Sequence, residues 1–73
     1  MDSFKVQIEL LTKYGSFLGE VMVVDLPKFT KLMEISKLYH TQGGFDMWLE
    51  DGSYIIVPPE VLKDSTMILR RLK

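Results

Sequence analysis

The chain opens with a strict alternation of apolar and polar residues, which predicts a half-buried strand over Phe4–Leu10. Gly15 then breaks the pattern and predicts a turn at Lys13–Ser16. Phe17–Val24 is almost continuously apolar, and we expect it to pair antiparallel with the first strand. Gly19, in its middle, predicts a bulge or a close approach of another segment. The inner face of the first strand is predicted to carry Phe4, Val6, Ile8 and Leu10.

The middle of the chain has the spacing of an amphipathic helix. Asp25 is a predicted N-cap, and Pro27 falls in the first turn. Gly43-Gly44 is predicted to end the helix after roughly three turns. The apolar stripe repeats at a spacing of three, with charged residues on the other side: Phe29, Leu32, Ile35 and Leu38.

A hairpin around Asp51-Gly52 is the clearest local signal. This dipeptide between two apolar runs is typical of a two-residue type I′ turn, joining Phe45–Glu50 to Ser53–Val57. Pro58-Pro59 ends the second strand, because proline cannot donate to a ladder. In this register one face carries Phe45, Met47, Leu49, Tyr54 and Ile56, and the other carries Trp48, Ile55 and Val57 with Asp46 and Glu50.

One helical turn at Pro59–Leu62 and a short strand over Thr66–Leu72 complete the predicted elements. The order is strand, strand, helix, strand, strand, turn, strand. It predicts one mostly-β α+β domain over residues 1–73. We expect a five-stranded antiparallel small barrel or curled sheet, with one helix between strands 2 and 3.

Five short strands with a helical turn before the last one resemble the small β-barrels of the Sm-like type. Val57–Leu62 is similar to the turn that such barrels place between strands four and five. The resemblance is one of element order, and it implies an RNA-binding role. Sm-like proteins carry their helix before the first strand and an Arg-Gly or Lys-Gly step before the last. This chain has Lys63–Thr66 at the latter place.

The composition of the chain excludes several classes of protein. The 73 residues carry a formal net charge of −1, no Cys and one His. The 34 apolar residues are all bulky, since none is Ala. This excludes a disordered tail, a disulfide-stapled mini-protein, a Cys-based zinc module and a polybasic arm. No apolar run approaches the ~20 residues of a membrane span, and no secretory signal is visible, so a cytoplasmic protein is expected.

No catalytic, cofactor-binding or metal-ligating residue is predicted, and we expect no enzyme. His40 is interpreted as a surface or helix-capping residue, because no Cys or further ligand accompanies it. The carboxylates of Asp46, Glu50 and Asp51 are explained by the turn and by the outer strand face. The basic residues of the helix and C-terminus alternate with acidic ones and are interpreted as solvated, although they could form a phosphate-binding patch.

The apolar residues that the predicted core does not absorb define a candidate partner interface. Either the helix packs over part of this set, or another chain does, since aromatic and Met residues are enriched in interface cores. The sequence thus predicts a non-enzymatic interaction or assembly module that self-associates through an apolar sheet face or strand edges. The alternatives are an Sm-like RNA-binding protein and a small-ligand pocket between helix and sheet. The predicted interface residues are Trp48, Ile55, Val57, Leu18, Met22 and Val24.

Overall fold

The structure is a computed structural model that describes residues 2–72, with side chains for residues 2–37 and 43–72. It is an α+β fold, mostly strand, with antiparallel sheets and one main helix, as predicted. The elements in chain order are β1 (Phe4–Thr12), β2 (Gly15–Leu18), β3 (Met22–Val24), α1 (Leu26–Gln42), β4 (Phe45–Trp48), β5 (Tyr54–Val57), α2 (Pro59–Leu62) and β6 (Thr66–Leu72).

β1 is the central strand of the main sheet. One of its edges pairs with β6, from Lys5↔Leu72 to Leu11↔Thr66. The other edge pairs with β2 in its second half and with β3 in its first half. The predicted inner face is confirmed: Phe4 is half-buried, and Val6, Ile8 and Leu10 are buried.

β2 and β3 pair with the same edge of β1, where the sequence predicts a single second strand. Leu18 pairs with Glu9, and Met22 pairs with Val6. Two residues of β1 lie between Val6 and Glu9, whereas three residues, 19–21, lie between Leu18 and Met22. The extra residue is a bulge, and the Gly19 amide donates to the Ile8 carbonyl at 2.8 Å within it. The prediction of a bulge or a close approach at Gly19 is therefore confirmed, whereas the predicted count of five strands is wrong, because β2 and β3 are separate strands on either side of the bulge.

α1 begins as the sequence predicts. The Asp25 carboxylate accepts a hydrogen bond from the Lys28 amide at 2.9 Å, and the Asp25 carbonyl accepts one from the Phe29 amide. The helix has 17 residues and is longer than the expected three turns, although it does end before Gly43-Gly44.

In residues 26–37, the part of α1 whose side chains are described, the helix is only lightly packed. Phe29 meets Phe4 edge-to-face with ring centroids 5.4 Å apart, and Leu32 packs against the core. Ile35, predicted on the buried stripe, is 37% exposed, and no side chain of residues 26–37 is fully buried. The side chains of Leu38 and His40, which complete the predicted stripe and cap, lie outside the described residues.

The predicted register of the β4–β5 hairpin is wrong by one residue. Trp48 lies opposite Tyr54 and not Ile55. The loop has three residues instead of two, and the Leu49 amide donates to the Ser53 carbonyl at 2.7 Å to close it. A type I′ turn needs positive φ at both central residues, but in residues 2–72 only glycines have positive φ. Gly52, at φ 93°, fits a three-residue hairpin loop with glycine in the left-handed position.

This shift of one residue exchanges the two faces of β5. Side chains alternate along a strand, so a slip by one position turns each of them to the opposite side. Ile55 and Val57, predicted outside, point inward, while Tyr54 and Ile56 point outward. The core that results gathers Ile8, Leu10, Phe45, Val57 and Leu62, with Met47 and Ile55 packed against it.

The hairpin joins the main sheet at the bulge. The Glu20 amide donates to the Trp48 carbonyl at 3.1 Å, and the Glu50 amide donates to the Leu18 carbonyl at 3.0 Å. Across residues 2–72, β5 pairs only with β4, and β6 pairs only with β1. The sheets therefore do not close into a barrel, and each of these two strands keeps one open edge. The helical turn predicted between them is confirmed as α2, whose Leu62 is fully buried.

Candidate interaction surface

The solvent-facing side of the β4–β5 hairpin carries large apolar side chains. We call Asp46, Trp48, Tyr54 and Ile56 the outer patch; they form two cross-strand pairs, Asp46↔Ile56 and Trp48↔Tyr54. Trp48 is 56% exposed, Tyr54 45% and Ile56 75%. Antiparallel sheets with one solvated face usually place polar residues there. Here three of the four positions are apolar or aromatic.

The outer patch is held together by its own contacts. The Trp48 and Tyr54 rings meet edge-to-face, with centroids 4.9 Å apart and planes inclined by 69°. The Tyr54 hydroxyl donates to the Asp46 carboxylate, and this hydrogen bond raises the pKa of Tyr54 above its ordinary value of 10.0. The two aromatic side chains are thus oriented before any partner arrives, which lowers the entropy cost of binding.

Acidic residues lie within and beside the outer patch. Residues 43–62 contain four carboxylates and no Lys or Arg, whereas all nine Lys and Arg residues lie elsewhere in the chain. Glu20 lies next to Trp48, because its amide bonds to the Trp48 carbonyl. At the tip of the loop, Asp51 accepts a hydrogen bond from the Ser53 amide, which lowers the pKa of Asp51. The outer patch therefore combines an aromatic pair with acidic residues within it and on one side of it.

Gln7 fixes the hairpin to the main sheet. Its side chain is only 7% exposed, although the alternating pattern places it on the polar side of β1. The Gln7 side-chain amide donates to the Gly19 carbonyl at 2.9 Å and to the Glu50 carboxylate at 2.9 Å. It therefore pairs a backbone carbonyl of the bulge and orients a carboxylate at the rim of the patch. The sequence pattern carried no signal for this role.

Of the six predicted interface residues, Trp48 alone is exposed. Val57 and Val24 are buried, at 4% and 8% exposure, and Ile55 and Met22 are half-buried and pack against the core. Leu18 is half-buried. The assignment of Ile55 and Val57 to the same face as Trp48 is wrong, because it depended on the two-residue turn.

The predicted surface missed Tyr54 and Ile56 for the same reason. The signal that could have found them is Glu50-Asp51-Gly52 taken as a three-residue loop with glycine last. The alternative that the helix covers Trp48 is also wrong, because this indole is more than half exposed.

A second exposed surface lies on the outer face of the main sheet. We call Lys5, Val23 and Arg70 the basic patch. Val23 pairs with Lys5 across β1 and β3 and is 63% exposed. The Arg70 side chain is 53% exposed and forms an ion pair with Glu9. This patch combines positive charge with an exposed aliphatic side chain.

The open edge of β5 borders a groove of ≈ 530 Å³. The groove is lined by Phe17, Ile55 and Val61 and by Tyr14 at the β1–β2 turn. Tyr14 is 72% exposed, and its ring lies 5.5 Å from the Lys13 ammonium. An extended segment could pair with the edge and place apolar side chains in this groove.

In the part of the chain whose side chains the structure describes, Asp and Glu residues do not gather into groups of three or more that could hold a metal ion. None of the described helices has the length and apolar character needed to cross a membrane. Comparison of the chain with protein-family models, with curated proteins and with solved structures found no match.

Proposed function

We propose that this chain is a non-enzymatic, cytoplasmic protein-interaction module that self-associates through the outer patch and the open strand edges. The observation that carries the proposal is the outer patch itself: an exposed, preordered Trp–Tyr pair beside an exposed Ile. Trp and Tyr are the residues that most often dominate binding energy at protein interfaces. Burying them against a second chain would remove apolar surface from water.

The open edges of β5 and β6 support the same proposal. An unpaired edge presents backbone donors and acceptors, and another chain can pair with them. We propose further that the six strands are an open form of the five-stranded small barrel, with β2 and β3 as one bulged strand. The position of α2 between β5 and β6 supports this, since it is the position of the helical turn in Sm-like barrels.

The RNA-binding alternative finds less support. Exposed aromatic rings can stack on bases, but RNA-binding surfaces combine them with positive charge. Here the aromatic pair lies among Asp46, Glu50 and Glu20, and such a rim repels phosphate. Self-association is therefore the function that the geometry favours.

The test is the molar mass in solution as a function of concentration, measured by size exclusion with light scattering. We expect the mass to rise from monomer to oligomer, and we expect Trp48→Glu to remain a folded monomer. Leu26→Glu is the matched control, because it replaces an exposed apolar residue at the start of α1, outside the outer patch and the open strand edges, and should associate like the wild type. A wild type that stays monomeric at millimolar concentration would refute the proposal.

A further inference from the structure

The two exposed patches of this chain are complementary in charge. The outer patch has Asp46 within it and Glu20 and Glu50 at its rim, and no Lys or Arg occurs anywhere in residues 43–62. The basic patch carries Lys5 and Arg70 on strands of the main sheet; Arg70 is already paired with Glu9 of β1, so Lys5 is the cation that the complementarity depends on most. Opposite potentials on two surfaces steer them together and disfavour contact between like surfaces.

The patches are also complementary in the type of side chain. Lys and Arg carry long apolar stems, and their charged groups are attracted to the faces of Trp and Tyr rings. The Trp48–Tyr54 pair offers such rings with a carboxylate beside them. Val23, 63% exposed, offers an aliphatic counterpart to Ile56, 75% exposed.

We propose that the occupant of the outer patch is the basic patch of a second copy of this chain. Both patches are solvent-exposed, the basic one on β1, β3 and β6 of the main sheet and the outer patch on the β4–β5 hairpin. In a twofold dimer, each copy presents one patch to the other, so the same contact forms twice. A standard interface buries about 800 Å² per partner, about one sixth of the 5136 Å² that the chain exposes.

This inference rests on the proposed self-association and names the surfaces that meet. The test is a charge-reversal exchange between the two patches, with the dissociation constant measured by analytical ultracentrifugation. Lys5→Glu and Asp46→Lys should each weaken self-association by about tenfold or more, because each places like charges against each other. Mixing the two variants should restore association, since the Lys introduced at Asp46 then meets the Glu introduced at Lys5.

Two substitutions on α1 serve as matched controls. Lys31→Glu and Glu34→Lys make the same changes of charge at exposed positions outside both patches, and we expect them to associate like the wild type. Ile56→Lys repeats the test on the outer patch without removing the Tyr54–Asp46 hydrogen bond. Circular dichroism confirms that each variant is folded.

The possible failures are distinguishable. A monomeric wild type would overturn both this inference and the proposed function. A wild type that associates, with Lys5→Glu and Asp46→Lys no weaker than the controls, would overturn the inference alone and leave the strand edges as the interface. Weakening by both variants without recovery in the mixture would show that the patches do not meet each other, and would also overturn the inference.

Discussion

The two faces of the β4–β5 hairpin are alike in side-chain type and opposite in environment. On the inner face Phe45 and Val57 are 8% and 4% exposed. On the outer face Trp48 and Ile56 are 56% and 75% exposed. A hairpin with one solvated face would alternate between apolar and polar residues, and this one does so only in part. The difference teaches that apolar character alone does not identify the core face; the length of the loop decides it.

The largest expected effect is a difference in the loss of stability between substitutions on the inner and the outer face of the hairpin. Phe45→Ala should destabilise the protein by about 3–5 kcal/mol, because it removes a buried ring and leaves a cavity. Trp48→Ala should cost about 1 kcal/mol or less in the monomer, since it loses little beyond the contact with Tyr54. Denaturant unfolding at concentrations below association measures both. Equal losses at the two positions would contradict the assignment of Phe45 to the inner face and of Trp48 to the outer face.

A smaller effect is expected from the glycines before β4. A Cβ at Gly44 would lie 2.6 Å from the Val57 carbonyl oxygen, so backbone must move, and Gly44→Ala should cost about 1–3 kcal/mol. Gly43→Ala is the control, because a Cβ there meets nothing within 4 Å. Unfolding curves should show a clear loss for the first variant alone. A tolerated Gly44→Ala would mean that β5 lies further from the end of α1.

The smallest effect concerns the hydroxyl of the outer patch. Asp46→Ala should lower the pKa of Tyr54 towards its ordinary value of 10.0, because the accepting carboxylate is removed. The folded-state pKa is raised, so the stabilisation from this bond is present below pH 10 and is lost as pH rises through the pKa of Tyr54. NMR titration of the Tyr54 ring measures the change, with Glu60→Ala as control. An unchanged titration would contradict the hydrogen bond.

The sequence was sufficient where periodicity and local chemistry agree. The alternation in β1 predicted its buried face, and Asp25 and Gly19 predicted the helix start and the bulge, because capping and close approach depend on single residues. The hairpin register was not predictable in this way. Asp51-Gly52 fits both a two-residue and a three-residue loop, and both faces of β5 are apolar, so the pattern could not choose between them.

The ambiguous loop length at Asp51-Gly52 also determined which residues the sequence could assign to the outer patch. The sequence places Trp48 on the outer face, because it shares that side of its strand with Asp46 and Glu50. Its neighbours on β5 depend on the number of residues in the loop. A two-residue loop predicts Ile55 and Val57 beside Trp48, whereas the three-residue loop places Tyr54 and Ile56 there. The burial of Gln7 could not be predicted either, because its partners, Gly19 and Glu50, come from distant parts of the chain.

The fluorescence of Trp48 tests the central claim most directly. It is the only Trp in the chain, and it lies in the outer patch, so its emission reports on that surface alone. We predict that the emission maximum shifts to shorter wavelength as protein concentration rises, with the same midpoint as the increase in molar mass. A mass that rises while the emission stays that of a water-exposed indole would contradict the claim that association covers the outer patch.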